Sequence, residues 1–383
     1  MNYKLFFLEY VGIGLTLCIY NSTCLVCLNS LYSAVFVSIF MVFYSVVKIL
    51  FIFIIVAFFT LAERKILGAV HRRRGPFIVG IFGLLQPIAD AVKLFFKELL
   101  YPVNANNFIF LSAPWWILTL SVLAWFFIPF HFVLFATPVG SVFINNISVI
   151  NVFSVKLDFL LFYTGLNLHV VDSNVAILVL LAISSLNVYG IILAGWSSHS
   201  KYAFLGGLRS AAQMISYEVS LGLTILPVVV LSSSLSFIEV AVAQKGASFI
   251  FALVPSFIIF SISMLAETNR TPFDLPEAEA ELVAGYNVEY SAITFAMFFL
   301  GEYSNMLLMA TFCVLLFCGG LGGNFHVWLP LKILFFCFFF VIVRASVPRF
   351  RYDHLMQLCW KSFLPVTMSF FIFVIVCCVC IMR

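Results

Sequence analysis

"VFVSIFMVFYSVVKILFIFIIVAFFTLAERK", residues 35–65, carries a single charge, Lys48, before it reaches Glu63-Arg64-Lys65. A helix needs about 20 mostly apolar residues to cross the hydrocarbon of a bilayer. This stretch is read as a membrane span lying within 35–61 and ending at a charged exit. The rest of the chain repeats the pattern. It is 64% hydrophobic and 9% charged over 383 residues, with a mean hydropathy of +1.15. Soluble domains hold about 45–50% apolar residues. The fold class follows: all-α, a polytopic transmembrane helical bundle of about eight spans. Further spans are expected near 108–129, 174–195, 211–232, 249–265, 291–317, 328–343 and 363–381.

Two segments fit this plan less simply. Residues 1–34 form an N-terminal extension. Its 6–20 portion is apolar but short and holds Glu9, so it reads either as an interfacial helix or as a ninth span. The membrane domain is 35–383, and within it 132–170 is a long connection broken by polar residues. The N-terminus has no import-presequence or signal-peptidase pattern, which suggests insertion from the side of synthesis.

Several functions are disfavoured. The net charge is +4, with no basic patch interleaved with aromatics, which speaks against nucleic acid. Most of the ten cysteines lie in apolar runs, and Cys24–Cys27 is a lone CxxC; neither a metal site nor a disulfide framework is expected. No phosphate-binding glycine loop, nucleotide fingerprint or nucleophile elbow occurs, so no redox centre is expected in this chain.

Orientation comes from Lys and Arg. The loops after spans 1, 3, 5 and 7 hold 14 of the 20 basic residues, among them Arg64, Lys65, Arg72–Arg74, Arg270, Arg344, Arg349 and Arg351. That face is expected inside, toward matrix or cytoplasm. The same face carries "AETNRTPFDLPEAEAELVAGYNVEY", residues 266–290. Six of the chain's 16 carboxylates fall in it: Glu267, Asp274, Glu277, Glu279, Glu281 and Glu289. Asp274 with Glu277 resembles a helix-start box, Pro276 suits a first turn and Gly285 a stop. The implied helix over 275–284 is only about 15 Å long. One reading is a solvated acidic loop. The other is a coupled carboxylate cluster that shares protons among its sites.

Further ionisable residues favour the second reading. Glu218 and Glu302 fall inside spans 4 and 6. A charge at a helix centre costs about 2.5–3.5 kcal/mol on insertion scales, so such residues face protein or a wet cavity. A second constellation, residues 62–98, leaves span 1 through Glu63, Arg64 and Lys65. Beyond Gly75-Pro76, Ile88, Val92, Phe95 and Phe96 alternate with Asp90, Lys93 and Lys97. That spacing predicts an amphipathic interfacial helix. Arg72–Arg74 read as anchors for lipid phosphates. A third, residues 344–361, reads as a charged loop able to dock a partner.

Taken together, "AERKILG", "RRGPFIVGIFGLLQPIADAVKLFFKE", "SKYAFLGGLRSAAQMISYEVS", the 266–291 motif, "GEYSNM" and "VRASVPRFRYDHLMQLCWKSFLP" resemble the chain 1 family of NADH:ubiquinone oxidoreductase, respiratory complex I, in its mitochondrial form. The resemblance implies eight spans and a place in the membrane half of the quinone chamber. Ubiquinone is then the substrate, and this chain binds no cofactor; NADH, FMN and iron–sulfur clusters belong to partner subunits. The implied partners are the peripheral-arm quinone-site subunits, the antiporter-like and small membrane-arm subunits, and lipid. The implied location is the mitochondrial inner membrane.

By motif, Arg64, Asp90 and Arg344 would border the quinone path, with Arg270 pairing carboxylates near Asp274. Glu63, Glu218, Glu267, Glu277, Glu279, Glu281, Glu289 and Glu302 would form an acidic funnel coupling quinone reduction to proton translocation. Lys48, the extension and the 132–170 connection depart from the family pattern. Three alternatives remain: the related membrane subunit of an energy-converting hydrogenase or plastid-type dehydrogenase, a stand-alone proton or cation transporter, and a structural anchor. The "ETNR" and "GYNVEYS" wording argues against the first. No inverted repeat supports the second. The third leaves Glu218 and Glu302 unexplained.

Overall fold

The computed structural model describes residues 24–103, 105–129, 174–244, 246–274, 285–319 and 325–382. For 24–41, 44, 325–327, 381 and 382 only the backbone is described. The expectations for residues 6–20, for the 132–170 connection, and for a helix over 275–284 bearing Glu277, Glu279 and Glu281 lie outside these residues. Two compact units divide the chain, Met1–Ile52 and Phe53–Arg383.

Every regular element among the described residues is helical. In order they are α1 (Cys24–Val70), a 3₁₀ turn (Ile81–Gly83), α2 (Gln86–Phe96), α3 (Asn107–Phe126), α4 (Ala176–Ser197), α5 (Lys201–Ser232), α6 (Phe237–Ala243), α7 (Phe249–Ala252), α8 (Val254–Glu267), a 3₁₀ turn (Gly285–Asn287), α9 (Ala292–Phe317), α10 (Phe325–Ser346), α11 (Tyr352–Gln357), a π-helical turn (Leu358–Phe363) and α12 (Leu364–Met382). Seven helical runs among the described residues are long and apolar enough to cross a membrane. The interfacial helix expected after span 1 is α2. Ile88, Val92, Phe95 and Phe96 on it are exposed, as apolar side chains meant for lipid or a partner would be.

Three boundaries differ from the expectation. The first helix begins by Cys24, ahead of the predicted start. The fourth span begins at Lys201, because the Ser200 hydroxyl accepts the Ala203 N–H at 3.2 Å and caps the helix upstream of its charged turn. The loop expected over 344–361 is mostly helix: only 347–351 lies outside helix, and α11 runs through the π turn into α12. Two tethers hold that turn. Tyr217 Oη donates to Leu355 O at 3.1 Å, and Cys359 Sγ to Ser216 O at 3.2 Å.

The fifth span is broken. Leu253 (φ −117°, ψ 40°) separates α7 from α8, and Pro255 opens α8. With 14 residues, α8 is about 21 Å long, against about 30 Å of hydrocarbon. The chain beyond it, Thr268, Arg270, Thr271, Phe273 and Asp274, is buried. Irregular backbone is tolerated at membrane depth only where protein or a wet cavity surrounds it. The rest of the bundle supplies that enclosure. Gln213 Nε2 on α5 donates to Ala266 O and Phe273 O, both at 2.8 Å. Phe350 N–H donates to Pro272 O at 3.1 Å.

Small residues bring the helices close, the expected device where lipid offers no hydrophobic drive for association. A methyl group on Gly206 of α5 would stand 2.9 Å from Gly285 Cα, and one on Gly195 of α4 would stand 2.9 Å from Ala203 O. Around this seam Phe110, Ile117, Val188, Met214, Tyr286 and Phe298 form an apolar core. Phe110 stacks on Tyr290 at 4.1 Å between ring centroids. Most of α9 is buried against its neighbours, making it the central helix. Gly206→Ala is expected to destabilise the bundle by about 1–3 kcal/mol, because backbone opposes the new methyl. The check is the amount of chain retained in mild-detergent extracts after graded heating.

Candidate functional site

The ends of α1 and α10 meet at one carboxylate. Glu63 lies in the last two turns of α1 and is buried. Its Oε1 accepts a hydrogen bond from Arg344 Nη1, near the end of α10. Arg270 Nη1 lies 3.8 Å from the same oxygen. Tyr303 Oη on α9 donates to Glu63 Oε2 at 2.6 Å. The Arg270 guanidinium carbon stands 4.2 Å from the centre of the Tyr303 ring. On its other side Arg270 Nη2 lies 3.9 Å from Glu302 Oε2, and Tyr286 Oη donates to Glu302 Oε1 at 2.6 Å.

These contacts form one continuous network: Arg344, Glu63, Tyr303, Arg270, Glu302 and Tyr286. Its core is enclosed by protein; the Arg270 and Glu63 side chains are 6% and 5% exposed. Glu302 is the eleventh residue of α9, so at 1.5 Å per residue it lies about 15 Å along that helix. The buried loop after α8 places Arg270 between the two carboxylates. That α1, α8 and α10 all end at this cluster agrees with the topology expected from Lys and Arg, in which spans 1, 5 and 7 leave on one face.

The other predicted residues fall into separate groups. Arg64 Nη1 and Asp90 Oδ2 pair at 2.6 Å at the exposed edge, with Gln86 Nε2 donating to Asp90 Oδ1 at 2.9 Å. Buried Asp274 has Arg349 Nη2 at 3.7 Å, while Phe350 stacks on Phe273. Arg270 itself reaches Glu63 and Glu302. Glu218 on α5 and Glu267 at the end of α8 lie close enough to feel each other's charge. Half-buried Glu289 stands outside the network, beside Tyr290. Burial pushes the Tyr290 phenol up to about 12, although its bond with Ser197 acts the other way, so it is a hydrogen-bonding group at neutral pH.

Tyr286 and Tyr303 were not picked out in the sequence, and Arg349 was counted only among the basic residues that set the orientation. A signal was present: "SYE", "VEY" and "GEY" each set Tyr beside Glu at positions 217–218, 289–290 and 302–303. Reading charge alone passes over phenols.

An apolar helical bundle with an interrupted helix and a buried ion network defines a class: a polytopic membrane protein with ionisable groups enclosed in its interior. The comparisons place it within that class. The family model described as NADH dehydrogenase matches residues 43–375. The chain is 49% identical over 331 residues to NADH-ubiquinone oxidoreductase chain 1 of Chondrus crispus, covering 84% of this chain and 91% of the relative. It is 49% identical to the chain 1 protein of Arabidopsis thaliana, covering 82% and 89%. An NADH-quinone oxidoreductase subunit of Paramagnetospirillum magneticum is 51% identical, covering 82% and 85%. The chain belongs to this family of NADH dehydrogenase membrane subunits.

Magnitudes separate the two kinds of ion pair. Exposed pairs contribute about 0–1 kcal/mol, whereas removing one partner of a buried pair costs about 3–5 kcal/mol. Arg270→Met is therefore expected to deplete the assembled chain severely and Arg64→Ala barely. Quantifying the chain in membranes of the two variants, side by side, checks the ranking.

Proposed function

We propose that this chain is the membrane subunit of a proton-pumping NADH:ubiquinone oxidoreductase. It forms the quinone entry path and an acidic route that couples quinone reduction to proton translocation. The observation that carries the reading is the buried network of Glu63, Arg270, Tyr303 and Glu302, about 15 Å along α9. It begins beside the exposed Arg64–Asp90 pair. The two groups suit an approach path and a proton-handling interior.

The physical logic is electrostatic. Reducing a quinone takes two electrons and two protons. A charged quinone species near Arg64, Asp90 and Arg344 shifts the proton affinity of carboxylates linked to it. One charge crossing 100 mV is worth about 2.3 kcal/mol, which a change of a few pKa units at about 1.4 kcal/mol each can match. Glu63, Glu218, Glu267, Glu289 and Glu302 are the proposed carriers, joined by Glu277, Glu279 and Glu281 of the acidic motif. Arg270 and Asp274 hold the loop that presents them.

Electrons come from NADH through FMN and iron–sulfur clusters in partner subunits. Peripheral-arm subunits complete the quinone site, and antiporter-like and small subunits receive the coupling. The proposed setting is the mitochondrial inner membrane, with the basic loops and acidic motif on the matrix side and lipid around the exposed apolar faces.

Glu302→Gln tests this. The variant keeps the side chain's shape and its place beside Tyr286. Expected is an assembled particle that passes electrons from NADH to a soluble acceptor at the normal rate while NADH-driven proton uptake in vesicles falls sharply. Undiminished proton movement per NADH would overturn the role of Glu302. A chain absent from any large NADH-oxidising band on a native gel would overturn the whole reading.

A further inference from the structure

Apart from the Glu63 network, four helices leave a cavity of about 20 Å³. It lies among Ser121 on α3, Ser184 and Asn187 on α4, Glu267 and Thr268 at the end of α8, and Asn305 on α9. Asn187 is ten residues from the end of α4, about 15 Å into the bundle. A cavity of roughly 10–15 Å³ is enough for one water, provided polar partners surround it.

The lining groups differ in what they need. The hydroxyls of Ser121, Ser184 and Thr268 already donate to Leu118 O, Leu181 O and Leu265 O of their own helices. Glu267 and Asn187 are 6% and 7% exposed, yet Glu267 Oε2 and Asn187 Oδ1 have no hydrogen-bond partner among the described residues. Leaving a buried polar atom unsatisfied costs about 1–3 kcal/mol, more for a charged one. Both atoms are acceptors when Glu267 is ionised, so neither can satisfy the other. A water has two O–H donors and fits the cavity.

We infer that this cavity is a binding site for a single water that bridges the Glu267 carboxyl and the Asn187 amide, which makes Asn187 a positioning residue for the Glu267 proton. The water donates to both groups when Glu267 is ionised. It accepts from the carboxyl O–H when Glu267 is protonated, and keeps its bond to Asn187. One polar site thus serves both protonation states without moving a helix. The Asn187 side chain holds the water, and the four helices exclude any others. This inference rests on the proton-handling role proposed for Glu267, and the test separates the two.

The test uses the assembled oxidoreductase purified from membranes, with infrared difference spectra recorded on reduction by NADH. The carboxyl band of Glu267 is assigned by its loss in Glu267→Gln. In Asn187→Leu, which removes the amide and fills the cavity, that band is expected to move to higher frequency, as for a carboxyl that has lost a hydrogen bond. Asn187→Ser keeps a polar partner and room for water, and is expected to return the band to its wild-type position. An unmoved band in both variants overturns the water site while leaving Glu267 as a proton carrier. Absence of any redox-linked band from Glu267 overturns both the carrier role and the water site built on it. Density for one water touching both residues in a high-resolution map of the particle supports the site directly. A dry cavity there overturns it.

Discussion

Arg270 is the constraint on which the rest depends. It is a guanidinium buried inside the bundle, with Glu63 on one side, Glu302 on the other and the Tyr303 ring beneath it. A lone cation there would be prohibitive; flanked by two carboxylates it is tolerated, and each carboxylate is tolerated because of it. This mutual dependence explains why α8 stops short. A full-length helix would carry residue 270 past the carboxylates, whereas the break after Glu267 lets the chain turn back among α1, α5, α9 and α10. The hydrogen bonds of Gln213 and Phe350 to the loop carbonyls then replace those a helix would have supplied. A polar interior is thereby built inside an otherwise apolar bundle.

The two halves of the site answer to different physics. Arg64 and Asp90 meet at an exposed edge beside α2, where water screens them and a passing molecule can compete for them. The Glu63–Glu302 network lies in a low dielectric, where one proton gained or lost is felt by every neighbour. A screened pair thus stands next to an enclosed network.

Much of this was legible in the sequence, for identifiable reasons. Long apolar runs predict membrane helices because a bilayer demands a fixed length, so α3, α4 and α9 fall close to where hydropathy puts them. The amphipathic spacing of Ile88, Val92, Phe95 and Phe96 was enough to find α2. Intramembrane Glu218 and Glu302 stood out through the cost of burying charge. Partnerships were not legible. Arg270 was expected to pair with carboxylates near Asp274; the contacts to Glu63 and Glu302 across the fold, and that of Arg349 to Asp274, were not foreseen. Tyrosines do not register in a census of charge, although Tyr286 and Tyr303 hold the two central carboxylates. The break at Leu253 was hidden because a broken apolar segment has the same composition as a whole one. The helical start at Tyr352 was hidden because charged side chains at an interface resemble a loop.

The separation of Glu63 and Arg344 along the chain bears on how such a protein is made. Glu63 and Arg344 are 281 positions apart, and Arg270 lies between them in order. During synthesis the first helix enters the membrane with its carboxyl, near its charged exit, long before Arg270 or Arg344 exists. Until the seventh span arrives, the nascent bundle holds an open electrostatic vacancy at its centre. A chain ending before Arg344 would therefore lack one of the two guanidinium groups around Glu63 while keeping most of its apolar helices.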